Sequence, residues 1–301
     1  MKVFSEEQKW YKGNLHTHTT VSDGKVSPED VVAAYKNAGY SFICITDHRK
    51  YHEGSDSADF VILSGEEFNF EDKEKNTAYH VIGIDFDGHF ENTNQTPPQT
   101  VIDDVLKRGG LAVMGHPAWS LMSHGDIAEL HGLSGTEVFS TISHEYSGRG
   151  DSTSYADVLM TMGIRFFLLG VDDMHFFKRD FAKTFIMLTT DDFSQKGIRR
   201  ALEKETFYAS EGPLIKSLEF EKGHVKIETT PVRRIVFYSN SWYNGKRVVV
   251  PQEGDTLTCA EYDVTLKDKW IRIEGTDLNG KRFTTNYFDT SIPELVSQLQ
   301  K

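Results

Sequence analysis

Gly13-Asn14-Leu15-His16-Thr17-His18-Thr19, then Ser22-Asp23-Gly24, then Phe42-Ile43-Cys44-Ile45 running into Thr46-Asp47-His48, is the stretch whose reading decides the fold. In an extended strand, residues two apart share a face, so His16 and His18 present both imidazoles to one point while Thr17 turns away. Ser27-Pro28-Glu29 opens a helix well, with a capping hydroxyl and proline at its first position, and Gly39 closes it before a strand from Ser41 to Thr46. The unit is therefore strand, helix, strand, with a His-rich or acidic motif just after an apolar run.

The same rhythm continues to about residue 211. Strands are expected at Phe60 to Ser64, Tyr79 to Phe86, Leu111 to Gly115, Thr136 to Phe139 and Arg165 to Val171, with helices at Pro98 to Arg108 and Ser154 to Met162. Alternation of this kind implies mostly parallel, buried strands. Along them stand Gly65-Glu66-Glu67, His80-Val81-Ile82-Gly83, Gly115-His116-Pro117 and Asp173-Met174-His175. Five of the six motifs fall at a strand's carboxyl end, and only His80 at a beginning. Carboxyl ends of parallel strands collect catalytic groups in barrels, so the pattern predicts convergence in space. After residue 211 the segments become short and alternating, with Asn279-Gly280 suited to a tight hairpin. The expected division is residues 1–211 as a metal-binding α/β barrel and 212–301 as a small antiparallel β-sandwich that buttresses the barrel or an oligomer interface.

Composition narrows the function. The formal charge is -12, from 45 acidic and 33 basic residues, which argues against a nucleic-acid polymer as partner, since such binders draw most of their affinity from phosphate neutralisation. Cys44 and Cys259 are the only cysteines and read as reduced packing thiols. The amino terminus lacks an apolar signal core and no stretch is long enough to span a bilayer, so a cytoplasmic protein with no membrane partner is expected. No phosphate-cradling P-loop, Gly-rich dinucleotide loop or Gly-x-Ser-x-Gly elbow is present. Imidazoles and carboxylates without cysteine suit manganese, zinc or iron. Ions held close together generate hydroxide near neutral pH and clamp attacking and leaving oxygens.

On the residues alone, Glu66 and Glu67 are equal candidates, Asp23 is also a good turn residue, and Asp173 is preferred over Asp172 because a two-residue step places it beside His175. Asp47 is expected to orient a neighbouring ring. Glu66 and Glu137 are candidates for supporting roles. His144 and Arg149 lie in a segment, Ser143 to Arg149, where a substrate loop is expected, and Arg149, Lys178 and Arg179 are candidates to grip a phosphoryl oxygen. His52, His89, His124, His131 and His224 are expected to be solvated or core residues.

The ordered set His16-x-His18, Asp23, Thr46-Asp47-His48, Gly65-x-Glu67, His80, Gly115-His116-Pro117 and Asp173-x-His175 resembles the polymerase and histidinol phosphatase (PHP) family over the first two-thirds of the chain. The resemblance implies a distorted (β/α)7 barrel holding two or three divalent ions. It implies one ion on His16, His18, Glu67 and Asp173, a second on Asp23, His48 and His175, and a third on His80 and His116 with Glu67 bridging. The carboxyl-terminal β region, entered through Phe207 to Pro213, is similar to that of the carbamate-cleaving branch. Between His116 and Asp173 there is no room for the large recognition insert of the nucleotide-processing members, which argues against a nucleotide substrate. The expectation is a metal-dependent hydrolase, foremost a phosphoesterase acting on a small ester through metal-bound water, with the general acid unassigned. The alternatives are a carbamate or carboxylic ester metallohydrolase and a catalytically silent, metal-stabilised binding module.

Overall fold

The computed structural model describes residues 2–290 except 76 and 244, so the last eleven residues of the expected carboxyl-terminal region lie outside the described part. The fold is mixed α/β with three sheets. A five-stranded sheet runs, in spatial order, Phe167–Val171, Gly135–Ser140, Leu111–Met114, Thr77–Ile84 and Gly65–Asp72. An eleven-stranded sheet carries Val61–Leu63, Phe42–Cys44, Trp10–Asn14, Phe185–Thr189 and Phe207–Ser210 as neighbours, and continues into Arg282–Thr285, Trp270–Thr276 and Arg234–Tyr238. The third has four strands, among them Lys2–Phe4 and Ile215–Glu221.

Ser27 caps the Pro28–Asn37 helix, its hydroxyl accepting from the Asp30 N–H, as the sequence implies. Phe42–Cys44, Leu111–Met114 and Phe167–Val171 are buried on both faces, the signature of strands covered on two sides. Ile215–Glu221 instead alternates inside and outside, and its Leu218 and Phe220 pack with Phe4, Ile227, Phe237 and Phe283 in a core shared by the four-stranded sheet and the end of the long one.

Three expectations need correction. Pairing is not mostly parallel: Gly65–Asp72 runs antiparallel to Thr77–Ile84, which runs antiparallel to Leu111–Met114. Only four residues separate the first two, far fewer than a parallel crossover needs. The first of these strands was not foreseen, so Glu67 stands near the start of a strand and His80 inside one. Nor do the strand ladders among the described residues close into a barrel. At one seam only an isolated bridge, Thr17 to Met174, joins the sheets; at the other only His48 to Glu67 and His52 to Gly65 do. Regular pairing gives way where the His and acidic motifs sit. Finally, Cys44 is buried, with its thiol donating to the Ser64 carbonyl at 3.3 Å, but Cys259 is exposed and does not pack. No helix among the described residues is long and apolar enough to cross a membrane.

Candidate metal centre

The Trp10–Asn14 strand ends before the first motif, yet the extended backbone still sends both rings the same way: His16 Nε2 and His18 Nε2 lie 3.1 Å apart. The Met174 carbonyl accepts the His18 N–H at 2.9 Å and the His16 carbonyl accepts the Asp173 N–H at 3.0 Å, locking the two motifs together across the first seam. Across the second, the Glu67 carbonyl accepts the Arg49 N–H, bringing His48 over Glu67. His116, between Met114 and Pro117, has φ 22°, and Asp173 has φ 53°. Left-handed backbone at non-glycine residues is costly and is kept where surroundings dictate a position.

Around this frame four atoms form a compact set. Glu67 Oε2 is 3.3 Å from His16 Nε2 and 3.0 Å from His18 Nε2; Asp173 Oδ1 is 3.2 Å from each. Ligands bonded at about 2.0–2.2 Å to one tetrahedral ion stand roughly 3.3–3.6 Å apart. Glu67 Oε2, Asp173 Oδ1 and His48 Nδ1 are buried and lack a hydrogen-bond partner, a costly arrangement for polar groups unless a further species satisfies them. The donor set therefore fits a divalent cation. His18, Asp23, His48 and His175 offer a second group of converging atoms, and His16, Glu67 and His116 a third. Glu67 spreads its two oxygens between groups: Oε2 faces His16, His18 and His48, while Oε1 faces His80 Nδ1 at 2.7 Å and His116 Nε2 at 3.7 Å.

The electrostatics have one logic. Burial alone would lower the proton affinity of His16, His18 and His116, but Glu67 and Asp173 outweigh it and raise all three, His18 to about 9, with Glu137 adding to the rise at His16 and His116. Burial would likewise raise Glu67 and Asp173, but the surrounding imidazoles hold both carboxyls below their ordinary range. His48 is lowered, by burial and by the neighbouring His18 and His80. A divalent cation entering here displaces protons from the rings, so binding releases protons.

The residues just behind the cluster divide clearly. Glu137 Oε1 lies 2.6 Å from His16 Nδ1, and its Oε2 accepts the His116 N–H at 2.9 Å. Fixing Nδ1 of His16 in this way leaves Nε2 facing the cluster, the usual arrangement behind a ligating imidazole. Asp47 accepts from the Thr19 and Ser22 backbone and hydroxyls and meets a ring at 2.6 Å, but the ring is His52 rather than His48. Glu66, on the opposite face of its strand from Glu67, is buried against His89 and Asn92. Asp172 is taken up by the Ala182, Lys183 and Thr184 N–H groups and the Tyr35 and Thr141 hydroxyls, leaving Asp173 for the cluster. Gly24 has no room for a side chain: a Cβ would sit 2.6 Å from the His18 carbonyl carbon, which is how the Asp23 turn reaches the cluster.

The segment read as a substrate loop, Ser143 to Arg149, is mostly the helix Thr141–Ser147. A cavity of about 390 Å³ opens onto the cluster, lined by Asp23, His48, Glu67, His80, His116, Asp173 and His175 together with Trp119, Ile142, Tyr146 and Phe176. His144, Arg149, Lys178 and Arg179 are exposed and do not line it; Arg179 instead stacks on the Tyr146 ring and faces Glu145 at 3.8 Å. Sequence reasoning missed His52, whose ring caps Asp47, and the aromatic wall. Trp119, three residues after His116, carried a positional signal; Tyr146 carried none.

Residues 14–108 match the PHP domain family. No curated protein matches it. Among solved structures, a two-domain protein from Bacteroides vulgatus ATCC 8482, described as containing a predicted PHP-like metal-dependent phosphoesterase, is 15% identical. It covers 94% of this chain and 96% of its own, with TM-score 0.50. A metal-dependent phosphoesterase candidate from Bifidobacterium adolescentis ATCC 15703 is 16% identical, covering 54% of this chain and 87% of its own, TM-score 0.41. An amidohydrolase from Chromobacterium violaceum with bound sulfate and no metal is 15% identical, covering 65% and 96%, TM-score 0.45. The first likeness concerns the fold.

Proposed function

We propose that this chain is a PHP-type metal-dependent hydrolase, and within that class a phosphoesterase acting on a small ester. The observation that carries the reading is the meeting of two unpartnered buried carboxylate oxygens, on Glu67 and Asp173, with the ring nitrogens of His16 and His18 at 3.0–3.3 Å. In this reading His16, His18, Glu67 and Asp173 hold one ion, Asp23, His48 and His175 a second, and His80 and His116 a third that shares Glu67. Manganese, zinc and iron suit the mixed imidazole and carboxylate donors. Such ions supply activated water and neutralise charge developing on the substrate.

The protein's own residues do the positioning. Glu137 holds the His16 ring and the His116 backbone, Asp47 holds the Thr19 to Ser22 turn that carries Asp23 to the cluster, and Asp172 anchors the segment after His175. In the same reading the strands around the cluster are an opened form of a seven-stranded barrel spanning residues 1–211, and residues 212–301 are a buttressing β domain.

A carbamate or carboxylic ester metallohydrolase is the second reading, favoured by one observation: among the described residues no lysine or arginine lines the cavity. Metal analysis followed by rates on phosphomonoesters, phosphodiesters, carboxylic esters and carbamates tests both. Metal-dependent turnover of phosphate esters is the expected result. Turnover of carbonyl substrates alone selects the second reading, and no turnover with manganese, zinc or iron refutes both in favour of a binding module.

A further inference from the structure

The cavity wall away from the cluster is apolar and aromatic. Trp119, Ile142, Tyr146 and Phe176 line it, and among the described residues the only other lining ones outside the His and acidic set are Ser143 and Ser147. The rings are anchored against the cluster at opposite ends. Trp119 packs edge-on to His80 and His116, with centroids 5.4 and 5.0 Å away, whereas Phe176 sits 6.1 Å from His175 and 5.1 Å from Tyr146. Each ring is also left open: Trp119 is 37% exposed, Phe176 39% and Tyr146 45%. Large apolar side chains gathered around one concavity and left wet are the usual mark of a ligand surface.

We propose that this wall is a binding subsite for a planar aromatic group on the substrate, so that the enzyme prefers aryl to small alkyl esters. The proposal rests on the hydrolase reading above, because the cluster is taken to hold the anionic or carbonyl end. The charge distribution supports the division of labour. Arg149, Lys178 and Arg179 lie outside the cavity, so no described side-chain cation recognises the polar end, and the metal cluster has that task. What is left for the protein to recognise is shape and apolar surface. Rings that stack or meet edge to face gain attraction beyond area burial, and Trp119 and Phe176, already fixed by imidazoles, lose little freedom in doing so.

Binding of non-hydrolysable pairs separates this preference from leaving-group reactivity. Calorimetric titration of the manganese-loaded full chain with phenylphosphonate and methylphosphonate, and with benzoate and acetate, reads the aryl gain for both kinds of polar end. The expected result is an aryl advantage of about tenfold or more in at least one pair, falling below about threefold in Trp119→Ala and Tyr146→Ala at unchanged metal content. Equal affinity for aryl and methyl partners, absence of measurable aryl binding, or an advantage that survives both substitutions overturns the proposal. If a variant loses its native circular dichroism spectrum, Trp119→Leu and Tyr146→Leu replace it under the same criteria. An intact aryl advantage without metal-dependent turnover of any ester refutes the hydrolase reading and leaves the subsite standing.

Discussion

Replacing Glu137 by Gln tests whether the groups behind the cluster set its metal affinity. Glu137 uses both oxygens: Oε1 meets His16 Nδ1 at 2.6 Å and Oε2 accepts the His116 N–H at 2.9 Å. Gln has the same shape but only one acceptor, and its amide nitrogen can only donate. With the amide oxygen toward His16, the NH2 faces the His116 N–H, donor against donor. With the amide flipped, the NH2 donates to His16 Nδ1, which forces the proton onto Nε2 and removes the lone pair facing Glu67 and Asp173. The first orientation spoils a contact that is almost fully buried, and the second keeps both contacts but removes the ring nitrogen that would ligate a cation. Loss of a partner behind a ligating His costs about 10- to 100-fold in metal affinity, or about 1.4–2.7 kcal/mol. Calorimetric titration of manganese into chelator-stripped wild type and Glu137→Gln measures this directly, with circular dichroism to confirm the fold. A variant that is folded and binds manganese within about threefold of wild type refutes the assignment of Glu137 as the group that positions His16 and His116.

The clamp between the helix Thr153–Thr161 and the strand Trp270–Thr276 makes a stability prediction. Arg272, 1% exposed, meets Asp157 at 2.8 and 2.9 Å and Glu274 at 3.1 Å, so Arg272→Met leaves Glu274 buried without its cation. The expected loss is about 3–5 kcal/mol in urea unfolding, and a loss below about 1 kcal/mol contradicts it. Asp268 should make stability depend on pH. Its burial favours the protonated form, but hydrogen bonds from Ser239, the Thr265 N–H and hydroxyl, and Tyr262 outweigh this and hold the carboxyl below its ordinary range. That contribution is present above the unfolded value of 3.8 and lost as pH falls through the folded one. The stability gap between wild type and Asp268→Asn should therefore narrow between pH 7 and pH 3, and a constant gap would count against it. Gly24→Ala should push the Asp23 turn off the cluster, because its Cβ meets the His18 backbone at 2.6–2.7 Å. Metal affinity should fall about tenfold or more in titration while the fold is kept, overpacking costing about 1–3 kcal/mol.

Chemistry was legible early because ligand chemistry needs particular residue types at short spacings. His16 and His18 do share a face, the Ser27 cap works as its sequence implies, and nine of the ten His, Asp and Glu residues of the ordered set meet in one place, with Asp47 holding the turn behind them. Local pattern was weaker where a neighbour far away in the chain makes the decision. Glu66 and Glu67 are indistinguishable by type, and the strand's two-residue period, with cluster on one side and His89 on the other, separates them. Asp47 was read as orienting a ring, and which ring depended on His52 lying beside Gly65 across a sheet seam. The helix Thr141–Ser147 was hidden in a polar segment read as a loop, and with it went the placement of Tyr146.

By itself the sequence determined which side chains are available to hold metal, the alternation that builds buried strands, and the change to short two-sided strands after residue 211. Tertiary structure decided that Gly65–Asp72 folds back antiparallel, that the ladders stop short of closure at the two seams where the cluster forms, and that the nearby cations point away while rings face inward. The reason is physical. Periodicity and capping act over a few residues, whereas the seams and the lining of the cavity bring together residues as far apart in the chain as Thr17 and Met174, whose contact energies no local window contains.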